Sequence, residues 1–284
     1  MKTRNGVVYL AGFSSLCLIV SIAAAGEGGA TTRPFEPGYK PGYSDTPKLP
    51  DSQWHVHDRE RPQPAMIEPG TGNPPAEAGT PPSDAIVLFN GKDLSGWTGG
   101  DEKGIENGCI NVFKTGQLLS KQSFGDCQLH VEWATPAKAD GGPMVWGNSG
   151  VFFLDKYELQ IIESHDSYIY ADGNAAAIYG QVPPLVNPSR KPGEWQSFDV
   201  VFTAPRFESD KPDAKLVKPA YFTVFHNGVL VQYHQAAFGP TGHRVLPRYD
   251  TPAGHTTYGP IQLQKHGSAV LFRNIWVRPL KLEE

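Results

Sequence analysis

Short runs rich in β-branched and aromatic residues, separated by Gly, Pro and Asn turns, fill the chain from Ile86 onward. They are Ile86–Phe89, Cys109–Phe113, Gln117–Ser120, Cys127–Trp133, Ser149–Leu154, Tyr157–Ile162, Ser197–Thr203, Ala220–His226, Val229–His234, Ile261–Gln264 and Ala269–Arg278. Asn227-Gly228 predicts a tight hairpin, because both residues tolerate positive φ. The pattern predicts an all-β sandwich or barrel. Residues 84–284 have a length that suits a jelly-roll sandwich with one concave sheet.

The first 25 residues have the pattern of a secretory signal peptide. Lys2 and Arg4 precede an apolar run, and Ala23-Ala24-Ala25 offers a cleavage site. The alternative is an uncleaved anchor, although the run is short for a membrane span. Cleavage would leave 23 of the 25 basic residues against 29 acidic ones. This acidic balance disfavours nucleic acid as a partner and predicts an exported protein, periplasmic or extracellular, with no membrane span after processing.

Residues 26–83 are rich in Pro, Gly and Thr and are expected to form an irregular arm or linker. Trp54 and the neighbouring His55-Val56-His57 are unusual for a flexible spacer. Two interpretations remain open for this segment. It is a tether that pins the arm to the domain, or its His and Trp side chains reach a ligand site.

Two cysteines, Cys109 and Cys127, remain after removal of the leader. In an oxidising compartment they could form one disulfide. The alternative is a pair of buried thiols, because sequence does not show whether their Cα atoms are within reach.

Two of the predicted strands carry rows of polar side chains. Alternation in Tyr157–Glu163 places Glu158 and Gln160 on one face, and alternation after Gly259 places Gln262, Gln264 and His266 together. Amides and an imidazole offer the donors and acceptors that sugar hydroxyls need. A sugar-binding cleft therefore competes with a simpler reading, in which both rows face solvent.

Aromatic and polar residues in the predicted rim loops favour the cleft. Aromatic faces stack on sugar rings, and loops at a sheet rim often carry binding groups. The further candidates for substrate binding are Trp146, Asn148, Glu163, Tyr170, Tyr179 and Gln181.

The series of motifs resembles the 3-keto-disaccharide hydrolase family, which has a concanavalin A-like jelly roll of two antiparallel sheets. The resemblance spans roughly residues 85–280 and rests on Leu88–Trp97, Gly147–Phe153, Tyr157–Ile161, Ala177–Gly180, Pro192–Trp195, Gly259–Gln264 with His266-Gly267, and Phe272–Ile275. The segment from Trp54 to Pro64 also resembles a leader found before some members.

The family's fold is similar to that of glucanases whose catalytic strand reads E-x-D-x-x-E. Here Glu158, Gln160 and Glu163 match that spacing, with Gln at the central position. A retaining hydrolase needs two suitably tuned carboxyl groups about 5–5.5 Å apart. The departure therefore suggests a glycosidase-like cleft with altered chemistry.

The resemblance implies cleavage of 3-keto-glycosides through loss of the acidic C2 proton, by elimination or hydrolysis. Glu158 and His266 are the predicted catalytic residues, and Lys265 is expected to point away. No cofactor is certain. A divalent metal could be held by Glu158 and His266 with His165 or His57. A separate sugar oxidoreductase would have to supply the substrate. A non-catalytic carbohydrate-binding module and a conventional glucanase remain the alternatives.

Overall fold

The structure is a computed structural model that describes residues 40–211, 213–251 and 255–282. The predicted leader and residues 26–39 of the arm lie outside the described residues. Within the described ranges, no helix is long and apolar enough to cross a membrane.

Nearly all regular structure in the described ranges is β. The strands in chain order are β1 (Ala65–Met66), β2 (Ile86–Phe89), β3 (Trp97–Thr98), β4 (Ile105–Glu106), β5 (Cys109–Asn111), β6 (Leu118–Phe124), β7 (Cys127–Ala134), β8 (Ser149–Phe153), β9 (Tyr157–Ile161), β10 (Val186–Asn187), β11 (Gln196–Thr203), β12 (Arg206–Phe207), β13 (Leu216–Lys218), β14 (Tyr221–His226), β15 (Val229–Ala236), β16 (Gly259–Leu263) and β17 (Leu271–Pro279). Helical turns are limited to α1 (Val112–Thr115) and two 3-10 segments, Glu102–Gly104 and Ala171–Gly173.

Two antiparallel sheets form the sandwich. The larger has the order β15-β14-β11-β7-β17-β5-β4, with β2 also paired to β17, and the smaller has the order β3-β6-β16-β8-β9. Their inner faces meet in one apolar core, where the ring of Phe153 in the small sheet stacks on Phe202 in the large sheet at 4.8 Å. The predicted all-β sandwich of two antiparallel sheets is confirmed.

The predicted β-runs correspond closely to the strands. Alternation explains this agreement, since Phe198, Val200 and Phe202 of β11 all point into the core. The hairpin at Asn227-Gly228 is present, with φ values of 52° and 79°. The bounds differ by a few residues in several runs: the run from Cys109 continues into α1, the run from Gln117 extends to Phe124, and β16 ends at Leu263.

The proposed bridge between Cys109 and Cys127 is not formed. Cys127 carries a free, buried thiol, and burial raises its pKa to about 12. Strand β17 separates the two cysteines. Cys127 pairs with Pro279 at one end of β17, whereas Ile110, next to Cys109, pairs with Phe272 near the other end.

The described part of the arm, residues 40–83, is mostly irregular but packs along the domain. Val56 and His57 are fully buried, whereas Trp54 is only half-buried. The backbone N–H of Tyr43 donates to the carbonyl of His57 at 2.8 Å, and β1 adds a parallel pair to β10. The anchor is therefore centred on Val56 and His57 rather than on Trp54.

Val56→Ala should lower the free energy of unfolding by about 2 kcal/mol, because it removes two buried carbons from the contact of the arm with the domain. Val217→Ala, at an exposed position of β13, is the matched control and should change stability little. Thermal and denaturant unfolding would measure both. Equal, negligible effects would show that the arm contributes nothing to stability.

Candidate active site

The site is built on a row of side chains that crosses four neighbouring segments of the small sheet. Gln262 of β16 pairs with Phe152 of β8, which pairs with Glu158 of β9. Beyond β9, Ile178 bridges Leu159, and the N–H of Tyr179 donates to the carbonyl of Glu158. Cross-strand partners share a face. Gln262, Phe152, Glu158 and Tyr179 therefore form one row, on the side opposite the core.

A second row runs beside the first and contains two small residues. The N–H of Gln264 donates to the carbonyl of Gly150, Gly150 pairs with Gln160, and the N–H of Gln160 donates to Ala177. Gly150 lies between the two glutamines, and Ala177 lies beyond Gln160. A Cβ on Gly150 would lie 2.5 Å from Glu158 Oε1, so only glycine accommodates the carboxyl group there.

Glu158 is the most perturbed acid of the two rows. Its side chain is 5% exposed, and no hydrogen bond to its carboxyl oxygens is found among the described residues. Burial alone raises its pKa to about 8. A carboxyl group with that pKa can accept and return a proton near neutral pH.

Of the three glutamine side chains around Glu158, two have their amide oxygen hydrogen-bonded within the protein and one does not. Gln262 Oε1 accepts from Gln117 Nε2 at 2.9 Å, and Gln160 Oε1 accepts from the N–H of Ile161 at 3.0 Å. Gln264 Oε1 is buried and has no partner in the part of the chain that the structure describes. An unpaired buried acceptor costs free energy unless a ligand or water satisfies it. Gln264 thus offers an acceptor to a ligand hydroxyl.

Tyr179 closes the first row and is held by two further side chains. Its hydroxyl lies 2.7 Å from the hydroxyl of Tyr170 and 3.0 Å from His243 Nδ1. Burial raises the pKa of Tyr179 above its usual range, so the phenol keeps its proton at physiological pH. The row therefore pairs a buried carboxyl group with a neutral phenol.

One predicted catalytic residue, Glu158, and four predicted substrate-binding residues come together in these rows. The four are Gln160, Gln262, Gln264 and Tyr179. Four others are used by the protein itself. Trp146 Nε1 donates to the carbonyl of Pro136, and Asn148 Nδ2 donates to that of Met144. Gln181 bonds the backbone at Phe238 and Gly239, and Tyr170 is fully buried.

Glu163 does not belong to either row, because β9 ends at Ile161. Its Oε1 accepts backbone hydrogen bonds from His165 and from Asp166, the latter at 2.7 Å. Burial raises its pKa to about 7 despite these bonds. Glu163 therefore shapes the loop after β9, although its Oε2 is buried and finds no partner among the described residues.

His266 is not placed in the rows by strand alternation, because β16 ends at Leu263 and residues 265–267 are exposed. Lys265, next to His266, lies over the ring of Phe113 at 5.6 Å. The potential ligand set of Glu158, His165 and His266 is not assembled either. In residues 40–211, 213–251 and 255–282, no three His, Cys, Asp or Glu side chains are grouped to hold a metal ion.

Sequence reasoning missed a buried pair next to Tyr179. His57 of the arm lies with Nδ1 3.2 Å from Asp172 Oδ1, and both side chains are fully buried. The two residues are 115 positions apart, so no local pattern connects them. The only signal was the unexpected Trp and His content of the arm.

Comparison with known proteins identifies the relatives of this chain. A sequence model of the 3-keto-alpha-glucoside-1,2-lyase-like domain matches residues 84–278. The chain belongs to this family. The resemblance expected from the sequence is thereby confirmed, and the matched region contains both rows.

Two individual proteins agree with the family. A 3-keto-disaccharide hydrolase of Bacteroides thetaiotaomicron is 25% identical over 238 residues, which cover 69% of this chain and 78% of that protein. A candidate glycosyl hydrolase from Parabacteroides distasonis, known from its crystal structure, is 37% identical in sequence. Its structure matches with a TM-score of 0.64, and the match covers 78% of this chain and 93% of that protein. These similarities support a carbohydrate-active function of the glycoside hydrolase kind.

Proposed function

We propose that the chain cleaves 3-keto-glycosides by removing the proton at C2 and expelling the aglycone from C1. The observation that carries this proposal is Glu158, a buried carboxyl group that receives no hydrogen bond from the described protein and lies in one row with the phenol of Tyr179. A group so placed is free to act on a ligand. The family membership supplies the substrate class.

The ketone at C3 makes the neighbouring C2–H acidic, because the resulting carbanion is stabilised as an enolate. Glu158 accepts this proton, the C1–O bond to the aglycone breaks, and a C1=C2 double bond forms. The protonated Glu158 then returns the proton to the departing oxygen. The products are the free aglycone and an unsaturated 3-keto sugar, and addition of water across the double bond would complete a net hydrolysis.

The electrostatics of the site match this task. A base is most effective when its pKa is near the operating pH, and burial brings the pKa of Glu158 to about 8. Gln160, Gln262 and Gln264 surround the carboxyl group with amide donors and acceptors for the sugar hydroxyls. They fix the ring without adding a second charge.

The substrate implies a preceding reaction. Ordinary glycosides have a hydroxyl at C3, so a separate sugar oxidoreductase must oxidise that position first. Residues 1–25 have the pattern of a secretory leader. We therefore also propose that this chain is exported and works in the periplasm or outside the cell.

A conventional glucanase is less well supported. That chemistry needs a second carboxyl group across the scissile bond. Glu163 lies past the end of β9, with Oε1 engaged by two backbone N–H groups. A carbohydrate-binding module would use the same amide rows without turnover, so the experiment has to separate binding from cleavage.

The test is incubation of the purified protein with a 3-keto-glucoside and, separately, with its unoxidised parent. We expect release of the aglycone from the keto compound only. In D₂O, we expect deuterium to enter C2 of unreacted keto substrate. Release from the parent would indicate a conventional glucanase. Binding of either compound without release or exchange would indicate a binding module.

A further inference from the structure

The arm brings one imidazole into the interior next to the site. Asp172 holds His57 from two directions: Oδ1 lies 3.2 Å from Nδ1, and Oδ2 accepts the backbone N–H of His57 at 2.9 Å. Arg61 Nη1 lies 4.0 Å from the same Oδ2. Because a carboxylate can only accept, Nδ1 carries the proton and the orientation of the ring is fixed.

Among the described residues, the other side of the His57 ring has no polar partner, because Nε2 is buried and unpaired. An unpaired buried nitrogen opposes stability. Such a group in a folded protein is expected where function, rather than folding, selects the side chain.

The ring of His57 packs against Tyr179, which ends the first row, and against Tyr170, whose hydroxyl contacts that of Tyr179. Its centroid lies 4.0 Å from that of Tyr170 and 4.8 Å from that of Tyr179. Gly180 follows Tyr179 with a φ of 72°, and a Cβ there would lie 3.1 Å from His57 Cε1. The imidazole thus limits where the Tyr179 ring can lie.

Tyr179 is placed to act on the same substrate atoms as Glu158. It is the direct cross-strand neighbour of Glu158, and such neighbours have Cβ atoms about 4.5–5.5 Å apart. A proton taken from C2 leaves negative charge on the oxygen at C3, one bond further along the ring. A phenol beside the base can donate a hydrogen bond to that oxygen.

We propose that Tyr179 is a catalytic residue that donates its O–H to the enolate oxygen at C3, and that His57, held by Asp172, is a positioning residue for Tyr179. The phenol keeps its proton throughout, so the proton balance at Glu158 is unchanged. The N-terminal arm then completes the active site of the domain. This assignment rests on the proposed cleavage of 3-keto-glycosides.

The test is a double-mutant cycle on the full chain with a 3-keto-glucoside as substrate. Tyr179→Phe should lower kcat by about 10²–10³-fold, the range for loss of one oxyanion donor. His57→Asn keeps an amide N–H for Asp172 and a residue that tolerates positive φ. It should lower kcat by roughly 10–10²-fold with a smaller change in KM, as for displaced catalytic groups.

The double variant shows whether His57 acts by positioning Tyr179 or whether its loss damages the site in general. If His57 acts through Tyr179, adding His57→Asn to Tyr179→Phe should cause no further loss of kcat. Full additivity, or wild-type kcat in folded His57→Asn, would overturn the assignment. His55→Asn is the matched control in the same arm, because His55 contacts the carbonyl of Thr46 and not the site.

Two further results keep the outcomes distinct. If His57→Asn does not fold, Asp172→Asn with the same cycle replaces it, since the amide oxygen can accept only one of the two His57 N–H groups and so weakens the hold on the ring. Wild-type protein that neither releases the aglycone nor exchanges deuterium at C2 would overturn the proposed function and this assignment together. Active wild-type protein with an additive cycle would overturn only the role of His57.

Discussion

Glu158→Gln is expected to lower kcat/KM on a 3-keto-glucoside on the order of 10²–10⁴-fold, the range for loss of a general base. The amide keeps the size of the side chain over Gly150 but cannot accept the C2 proton. Wild-type kcat/KM should rise with pH as Glu158 ionises near pH 8. Glu163→Gln is the comparison, because an amide oxygen can still accept the two backbone N–H groups, and most activity should remain. Similar losses in both variants would contradict the assignment of the base.

The same substitution should stabilise the protein at alkaline pH. The folded-state pKa of Glu158 is about 8, above the ordinary value of 4.5, so the stability associated with its proton is complete below pH 4.5 and is lost as pH rises through 8. At about 1.4 kcal/mol per pKa unit, Glu158→Gln should raise the free energy of unfolding at pH 9 by roughly 2–4 kcal/mol. No comparable gain is expected near pH 4.5. Denaturant unfolding at both pH values would measure the difference.

Arg273→Met should have the largest effect on stability, a loss of roughly 3–5 kcal/mol, because it leaves a buried carboxylate without its main cation. Arg273 Nε lies 2.6 Å from Glu132 Oε2, and both side chains are almost fully buried. The same guanidinium donates to the carbonyls of Pro75 and Ala76 and so fastens the arm to the large sheet. Thermal and denaturant unfolding would show the loss.

Arg278→Met provides the control for this prediction. Arg278 Nη2 lies 2.7 Å from Asp84 Oδ2, but both side chains are partly exposed. Exposed pairs of this kind contribute about 0–1 kcal/mol. If the two variants lost equal stability, the burial of the Arg273 pair would not be the cause.

The strands could be predicted from the sequence because side chains alternate between the two faces of a strand, a pattern that is visible within a few consecutive residues. Tyr157, Leu159 and Ile161 point into the core, and Glu158 and Gln160 point to the other side, as alternation predicts. Alternation fails where a strand ends. His266 was predicted to lie in the polar row by continuing β16 past Leu263, but the strand ends at Leu263, so alternation does not fix the side of the sheet on which His266 lies.

The part of the site that sequence did not predict depends on contacts between distant segments. Nothing in the arm indicates that His57 meets Asp172, since proline-rich composition predicts only a lack of core. The spacing of Glu158 and Glu163 resembled a catalytic pair, but the second carboxylate is drawn into its own loop by backbone N–H groups. Too many polar loop residues were predicted to bind substrate. Loop backbone carbonyls accept hydrogen bonds from side-chain donors such as Asn148 Nδ2, which are then not available to a ligand.

The strand that carries Glu158 lies at the margin of the small sheet, where an open backbone could pair with another chain. Residues 176–179 bond its outer side at Glu158 and Gln160, and the N–H of Glu158 donates to Thr241 Oγ1 at 3.0 Å. The segment that presents Tyr179 therefore also shields an edge that would otherwise be prone to self-association. Substitutions that loosen this segment are therefore expected to lower solubility as well as turnover.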